Sequence, residues 1–213
     1  MAINKKAVRT VIDKAIKAKR SALNAAECKR ICSAYEIPLP RDGMAKSAAQ
    51  AASIGKRLGF PVVMKIQSED ILHKTDAGGV VVGVQSASEA RKAYNAILKN
   101  AKSYNKKANI DGVQVQKMLS SDGAQEVLVG AVTDPSFGKL VAFGLGGILV
   151  EVMKDVTFRL APTTRRDAAS MLNDIQGAEV LKGVRGSSGV DRQALTKIIQ
   201  NVSKLIADFP EIA

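Results

Sequence analysis

PVVMKIQSEDILHKTDAGGVVVGV, residues 61–84, decides the fold. It holds two apolar runs, 61–66 and 79–84, on either side of a polar loop. Both runs are rich in Val and Ile and read as strands. The loop between them has no helical periodicity. A parallel pair needs a long crossover, most often a helix, so these two strands pair antiparallel. That makes the chain α+β rather than a βαβ repeat. The loop also carries His73, the only histidine of the chain.

Working outward, apolar residues at Ile3, Ala7, Val8, Val11, Ile12, Ala15 and Ile16 have helical spacing with a Lys/Arg outer face. Asn24 and Glu27 are placed as a capping box for a helix over 25–35. Residues 37–40 (IPLP) must be extended, because a residue before proline avoids the helical region. An alanine-rich helix is expected over 47–58, closed by Gly59. Downstream come a helix over 86–103 capped by Ser86, and strands over 112–118, 125–132, 140–143 and 148–152. A DPSFG turn lies at 134–138. Helices over 165–173 and 192–207 follow, separated by the basic segment 182–186. The expected parts are a basic helix, 1–20, a helical segment, 21–60, and a nucleotide-binding region, 61–213.

Composition bounds the class. Of 213 residues, 46% are hydrophobic and 24% charged, an ordinary globular balance, and with 4% aromatics and no Trp the core must be aliphatic. No apolar run is long enough to span a bilayer, and the charged N-terminus lacks a signal-peptide core. The expectation is therefore a cytoplasmic protein with no membrane partner. Cys28 and Cys32 lie one helical turn apart and match neither a CxxC pair nor a metal set. The net charge of +12 suits a polyanionic ligand. Its basic residues are not interleaved with aromatics, so no nucleic-acid partner is expected.

Lys65 ends a strand among Val, Met and Ile. It either snorkels out of the sheet or faces a bound anion. Gly78 and Gly79 let backbone N–H groups approach a phosphate closely. Neither G-x-x-x-x-G-K-[ST] nor G-x-G-x-x-G is present, and Gly144–Gly147 is too short for a dinucleotide fingerprint. A lone histidine is often a plain surface residue. It is also a nucleophile toward phosphorus.

PVVMKIQSEDILHKTDAGGVVVGV, GVQVQKML, EVLVGAVTDPSFGKLVAFGLGGILVEVMKDVTFRLAP and LKGVRG, in that order over 22–213, resemble one family. It is the ATP-grasp (β) part of NDP-forming acyl-CoA synthetases, the ADP-forming acetyl-CoA synthetase group related to succinyl-CoA synthetase. The LHK between the two strands separates the group from succinyl-CoA synthetase. The resemblance implies an ATP-grasp fold, with nucleotide held between two antiparallel sheet subdomains. It implies the reaction acid + CoA + ATP ⇌ acyl-CoA + ADP + phosphate. A CoA-binding α subunit or domain binds the carboxylic acid and CoA, and its own histidine takes the phosphate. His73 then carries the phosphoryl group to the nucleotide site on a swinging loop.

By the same resemblance Lys65 holds the nucleotide phosphates and Gly78 and Gly79 form the glycine loop. Gln116, Lys117 and Met118 lie along adenine, mainly through backbone groups. Glu126 faces ribose or phosphate, and Gly146, Gly147 and Glu151 lie near the phosphates. Arg159 and Arg185 are phosphate or inter-subunit contacts. ATP/ADP and Mg²⁺ are the implied cofactors, and a hetero- or homo-oligomer the implied assembly. The family continues past DFPEIA with strands that supply Asn and Asp ligands to Mg²⁺. Those ligands and the C-terminal strands are therefore expected beyond Ala213, and this chain is expected to be inactive without them and the CoA-binding part. The alternative is a non-catalytic nucleotide-binding module of a protein acetyltransferase fusion.

Overall fold

In the hairpin the strands are β2 (Val62–Gln67) and β3 (Val80–Val84), antiparallel as expected, with Lys65 opposite Val80. The computed structural model describes residues 3–71, 73–119, 124–147, 154–183 and 189–212. Chain contacts divide it into two units, Pro40–Ser120 and Met1–Leu39 with Ser121–Ala213.

The unit Pro40–Ser120 is a four-stranded antiparallel sheet in the order β1-β4-β2-β3, where β1 is Asp42–Ala45 and β4 Gly112–Lys117. Helices α3 (Ala48–Leu58) and α4 (Ala87–Tyr104) carry the apolar residues that cover one face. On β2 burial alternates, with Val62, Met64 and Ile66 inward and Val63, Lys65 and Gln67 outward. On β4, Val113 and Val115 turn inward and Gln114 and Gln116 outward. The inward residues join Ala51, Ala52, Tyr94 and Ile97 in an aliphatic core with one tyrosine. Ser47 and Ser86 cap the two helices at Gln50 and Glu89.

Among the described residues the other unit has a three-stranded antiparallel sheet, β5 (Val127–Asp134), β6 (Gly138–Leu145) and β7 (Val156–Leu160). Val141, Phe143 and Leu145 of β6 pack under Ala168, Met171 and Leu172 of α5 (Arg165–Asp174) and Ile199 and Ile206 of α7 (Arg192–Asp208). A short α6 (Ala178–Lys182) lies between them in sequence. The opposite sheet face leaves Val132, Phe158 and Leu160 exposed. The strand expected at 148–152 lies outside the described residues, and β1, β7 and α6 are additions to the sequence reading.

Helices α1 (Lys5–Lys17) and α2 (Ala25–Ala34) belong to this unit. Val8, Val11, Ile12, Ile31 and Tyr35 pack on Leu205 and Phe209 at the end of α7. Asp208 accepts from the Tyr35 hydroxyl at 2.7 Å and from Lys5 at 2.6 Å. Arg9 lies over the Phe209 ring and pairs with Glu211. Part of the basic face of α1 is thus spent on ion pairs to α7 and the chain after it. Burial and the Asp208 carboxylate push the Tyr35 phenol well above its ordinary pKa.

The capping box at Asn24 is present, and Glu27 also takes both guanidinium nitrogens of Arg20, at 2.7 and 2.8 Å. Those hydrogen bonds, with the Asn24 N–H, hold the Glu27 carboxyl down to about 2 from 4.5. A depressed carboxylate contributes stability that is complete above its unfolded pKa and is lost as pH falls through the folded one. Glu27→Gln is therefore expected to cost about 1–3 kcal/mol at neutral pH. The gap to the parent should close between pH 4.5 and about 2. Urea unfolding at several pH values checks this, and a gap independent of pH would remove the ion-pair explanation.

Candidate functional site

On the unit Pro40–Ser120 the outward sheet face carries polar side chains on β2 and β4 beside Val63. Lys65, half-buried, donates to Gln116 Oε1 at 3.3 Å across β2 and β4. Beside it Gln67 donates to Gln114 at 3.1 Å, and Gln114 donates to Asp42 at 2.7 Å. The register places Lys65 against Gln114 and Gln116 against both Val63 and Asp42, so this chain of amides crosses three strands on one face. Gln67, Gln114 and Asp42 are additions to the sequence reading. Their signal was the polar half of the β2 and β4 alternation.

Lys65 opens on a depression of about 470 Å³ that it lines with His73, Lys74, Thr75, Asp76 and Val80. Two lysines and an exposed imidazole around one open volume suit a polyanion. The loop that brings His73 there is built as a single helical turn. Ala77 N–H bonds His73 O at 3.2 Å, Gly78 N–H bonds Thr75 O at 2.9 Å, and Gly79 N–H bonds Lys74 O at 2.8 Å. The last two are the paired bonds of a Schellman cap, with Gly78 in the left-handed region at φ +58°.

Both glycine amides are therefore committed inside the turn, and the pair works as a cap in this structure. A Cβ on Gly79 would meet Ile66 Cγ2 at 2.5 Å and Lys74 O at 2.9 Å. Gly79→Ala is expected to cost about 1–3 kcal/mol in urea unfolding, because the turn must lift off β2. A neutral substitution would show that the turn is not seated as described.

Gln116, Lys117 and Met118 lie at the end of β4. Lys117 N–H bonds Arg41 O at 2.8 Å, and Met118 N–H bonds Pro61 O at 3.2 Å. The Lys117 ammonium is directed at Gly59 O and Phe60 O, where it caps the end of α3. Two backbone donors of the expected adenine hinge are thus already taken.

The other unit brings Glu126, Gly146 and Gly147 together. Gly146 N–H bonds Glu126 O at 2.8 Å, continuing the β5–β6 ladder. A Cβ on Gly147 (φ +62°) would meet a Glu126 carboxylate oxygen at 2.5 Å. The exposed carboxylate thus lies against a glycine backbone that no other residue could supply without rearrangement. Arg159 is placed differently. It pairs with Val141 in the ladder, on the helix-covered side, and its guanidinium bonds Asp174 and, at 3.1 Å, Ser170 of α5. Glu151 and Arg185 lie outside the described residues. Among the described residues no three His, Cys, Asp or Glu side chains converge to hold a metal ion, and no helix is long and apolar enough to cross a membrane.

Comparison with known proteins adds independent findings. Residues 14–213 match the family model of an ATP-grasp domain. The chain is 43% identical over 204 residues to the β subunit of acetate–CoA ligase [ADP-forming] I of Pyrococcus furiosus, covering 96% of this chain and 87% of that one. It is 43% identical over 210 residues to 4-hydroxybutyrate–CoA ligase [ADP-forming] of Nitrosopumilus maritimus, of which it spans 30%. A dinucleotide-forming acetyl-coenzyme A synthetase of Ca. Korarchaeum cryptofilum superposes in two states. With coenzyme A, acetyl-coenzyme A and a phosphorylated phosphohistidine segment in its site I orientation, the TM-score is 0.83 at 37% identity. With coenzyme A and Mg-AMPPCP, that segment pointing towards the nucleotide binding site, it is 0.80 at 35% identity. Coverage is 92% of this chain and 84% of the synthetase chain in both.

Proposed function

The chain belongs to the ATP-grasp domain family, among the ADP-forming acyl-CoA ligases, and from that premise we propose that it is the nucleotide-binding part of such a ligase, with His73 as its phosphoryl carrier. The observation that carries the reading is that His73 and Lys65 line one open depression. The whole reaction is acid + CoA + ATP ⇌ acyl-CoA + ADP + phosphate, completed by a CoA-binding partner that holds the acid and CoA.

At the nucleotide, the unprotonated ring nitrogen of His73 attacks the γ-phosphorus. An N–P bond forms, the bond to the β–γ bridging oxygen breaks, and ADP leaves with the electron pair. The ring then gives up its remaining N–H proton to water, which its exposure permits. Phosphoryl transfer of this kind is mostly positioning and neutralisation of charge. Lys65 supplies a positive charge beside the transferring group, and Gln116 holds the ammonium from the side. In the reverse direction ADP takes the phosphoryl group from His73.

The outward face around Lys65 and Gln116 receives the nucleotide; Glu126, Gly146 and Gly147, gathered within the other unit, are kept as candidate nucleotide contacts. Adenine contacts at Gln116–Met118 run through carbonyl groups and the chain that follows, because the Lys117 and Met118 N–H groups are occupied. Arg159 contributes by holding β7 on α5. A Mg²⁺ ion bound with the nucleotide would neutralise phosphate charge there.

The test is peptide mass spectrometry of the assembled ligase after incubation with Mg-ATP, kept alkaline to preserve phosphohistidine. One phosphoryl group on the His73 peptide is expected. Its absence, in a complex that binds ATP, would leave a nucleotide-binding module without carrier chemistry.

A further inference from the structure

The His73 turn is seated, and its seat is made of residues that take no part in the chemistry above. Ile71, just before the turn, is fully buried, and Ala77 within it is 4% exposed; both belong to the core beneath the sheet. From α4, Asn100 donates its side-chain N–H to Gly78 O at 3.0 Å. It stands so close that a Cβ on Gly78 would meet its Nδ2 at 2.8 Å. Ahead of Ile71, the Asp70 carboxylate accepts the Asn109 N–H at 2.7 Å. His73 itself is exposed. The imidazole is thus presented by a turn held from below, from α4 and from the segment before β4.

We propose that Ile71 and Asn100 are positioning residues for phosphoryl transfer: they hold His73 in the orientation that shares a depression with Lys65, and they set how the carrier divides its time between nucleotide and partner. The inference rests on His73 being the carrier. It also says where the movement does not occur. Gly78 and Gly79 are closed by the paired bonds of the cap, so they are no free hinge. The turn leaves its seat as one piece.

A seat that favours one of two positions acts oppositely on the two transfers that use them. A residue that only maintains the fold would change both alike. Asn100 is exposed on α4, so its replacement leaves the core intact.

The experiment uses the ligase assembled with its CoA-binding partner. Labelling of His73 is followed by rapid quench along two routes, from radiolabelled ATP, and from acyl-CoA with radiolabelled phosphate in the absence of nucleotide. Asn100→Ala is expected to slow the ATP route and speed the phosphate route, lowering their ratio about tenfold, with ATP affinity unchanged. Asn100→Asp keeps the size but loses the donor, and should behave like Ala. Ile71→Ala should shift the ratio the same way and further. Equal changes on both routes, an unchanged ratio, or an Asp variant that behaves like the parent would overturn the proposal. Absence of label on His73 of the parent by either route would overturn the carrier reading with it.

Discussion

Turnover of the assembled ligase is expected to fall by about 10⁴-fold or more when His73 is replaced by alanine, while ATP affinity stays within about twofold. The asymmetry follows from the site. No second histidine exists in the chain to take over, and the nucleophile cannot be replaced by a residue that merely polarises. In the proposed site, binding rests elsewhere, on Lys65 and the amide-bearing sheet face, and the imidazole is exposed. Steady-state assays and calorimetric titration of ATP separate the two quantities. Retained turnover would sink the carrier, and a parallel loss of affinity would mean that His73 holds nucleotide instead of taking phosphate from it.

The second large effect belongs to Lys65. Lys65→Met keeps most of the stem and removes the charge, and should weaken ATP binding by about 10- to 100-fold, or about 1.4–2.7 kcal/mol. Among the described residues the ammonium has one hydrogen-bond partner, the neutral Gln116, so its charge remains available to a phosphate. Because Lys65 is on the outward face of β2, thermal stability should change little. A loss of stability with unchanged affinity would place the lysine in the architecture of the sheet rather than in the phosphate site.

Much of this was legible in the sequence, for reasons that differ by element. The β2–β3 hairpin was readable because two β-branched runs flank a stretch without helical period. The capping box at Asn24 was readable because two residue types at one spacing specify it. The family was readable because several motifs occur in order. Strand β1 was not, since Asp-Gly-Met-Ala has no β-branched residue and becomes a strand only through its pairing with β4. The glycine pair illustrates a second limit. From sequence, Gly78-Gly79 reads as an amide cradle, whereas the bonds to Thr75 and Lys74 show both amides closing a left-handed cap in this structure. Arg159 illustrates a third. Which face a strand residue takes depends on register, and pairing with Val141 turned this arginine towards α5 and away from the Glu126 side. The polar positions of β2 and β4 alternate legibly, but the amide chain from Gln67 to Asp42 joins three strands, and only the register assembles it.

The unit that contains the N-terminal helices is completed by residues some two hundred positions later, and this bears on how the chain is made. As it leaves the ribosome, the segment Pro40–Ser120 acquires all its strands and both its helices early and can condense by itself. Val8, Val11, Ile12 and Tyr35 emerge well before their partners Leu205 and Phe209. Until then the apolar stripe of α1 has α2 beside it but lacks its α7 cover, and is a natural client for a chaperone during synthesis.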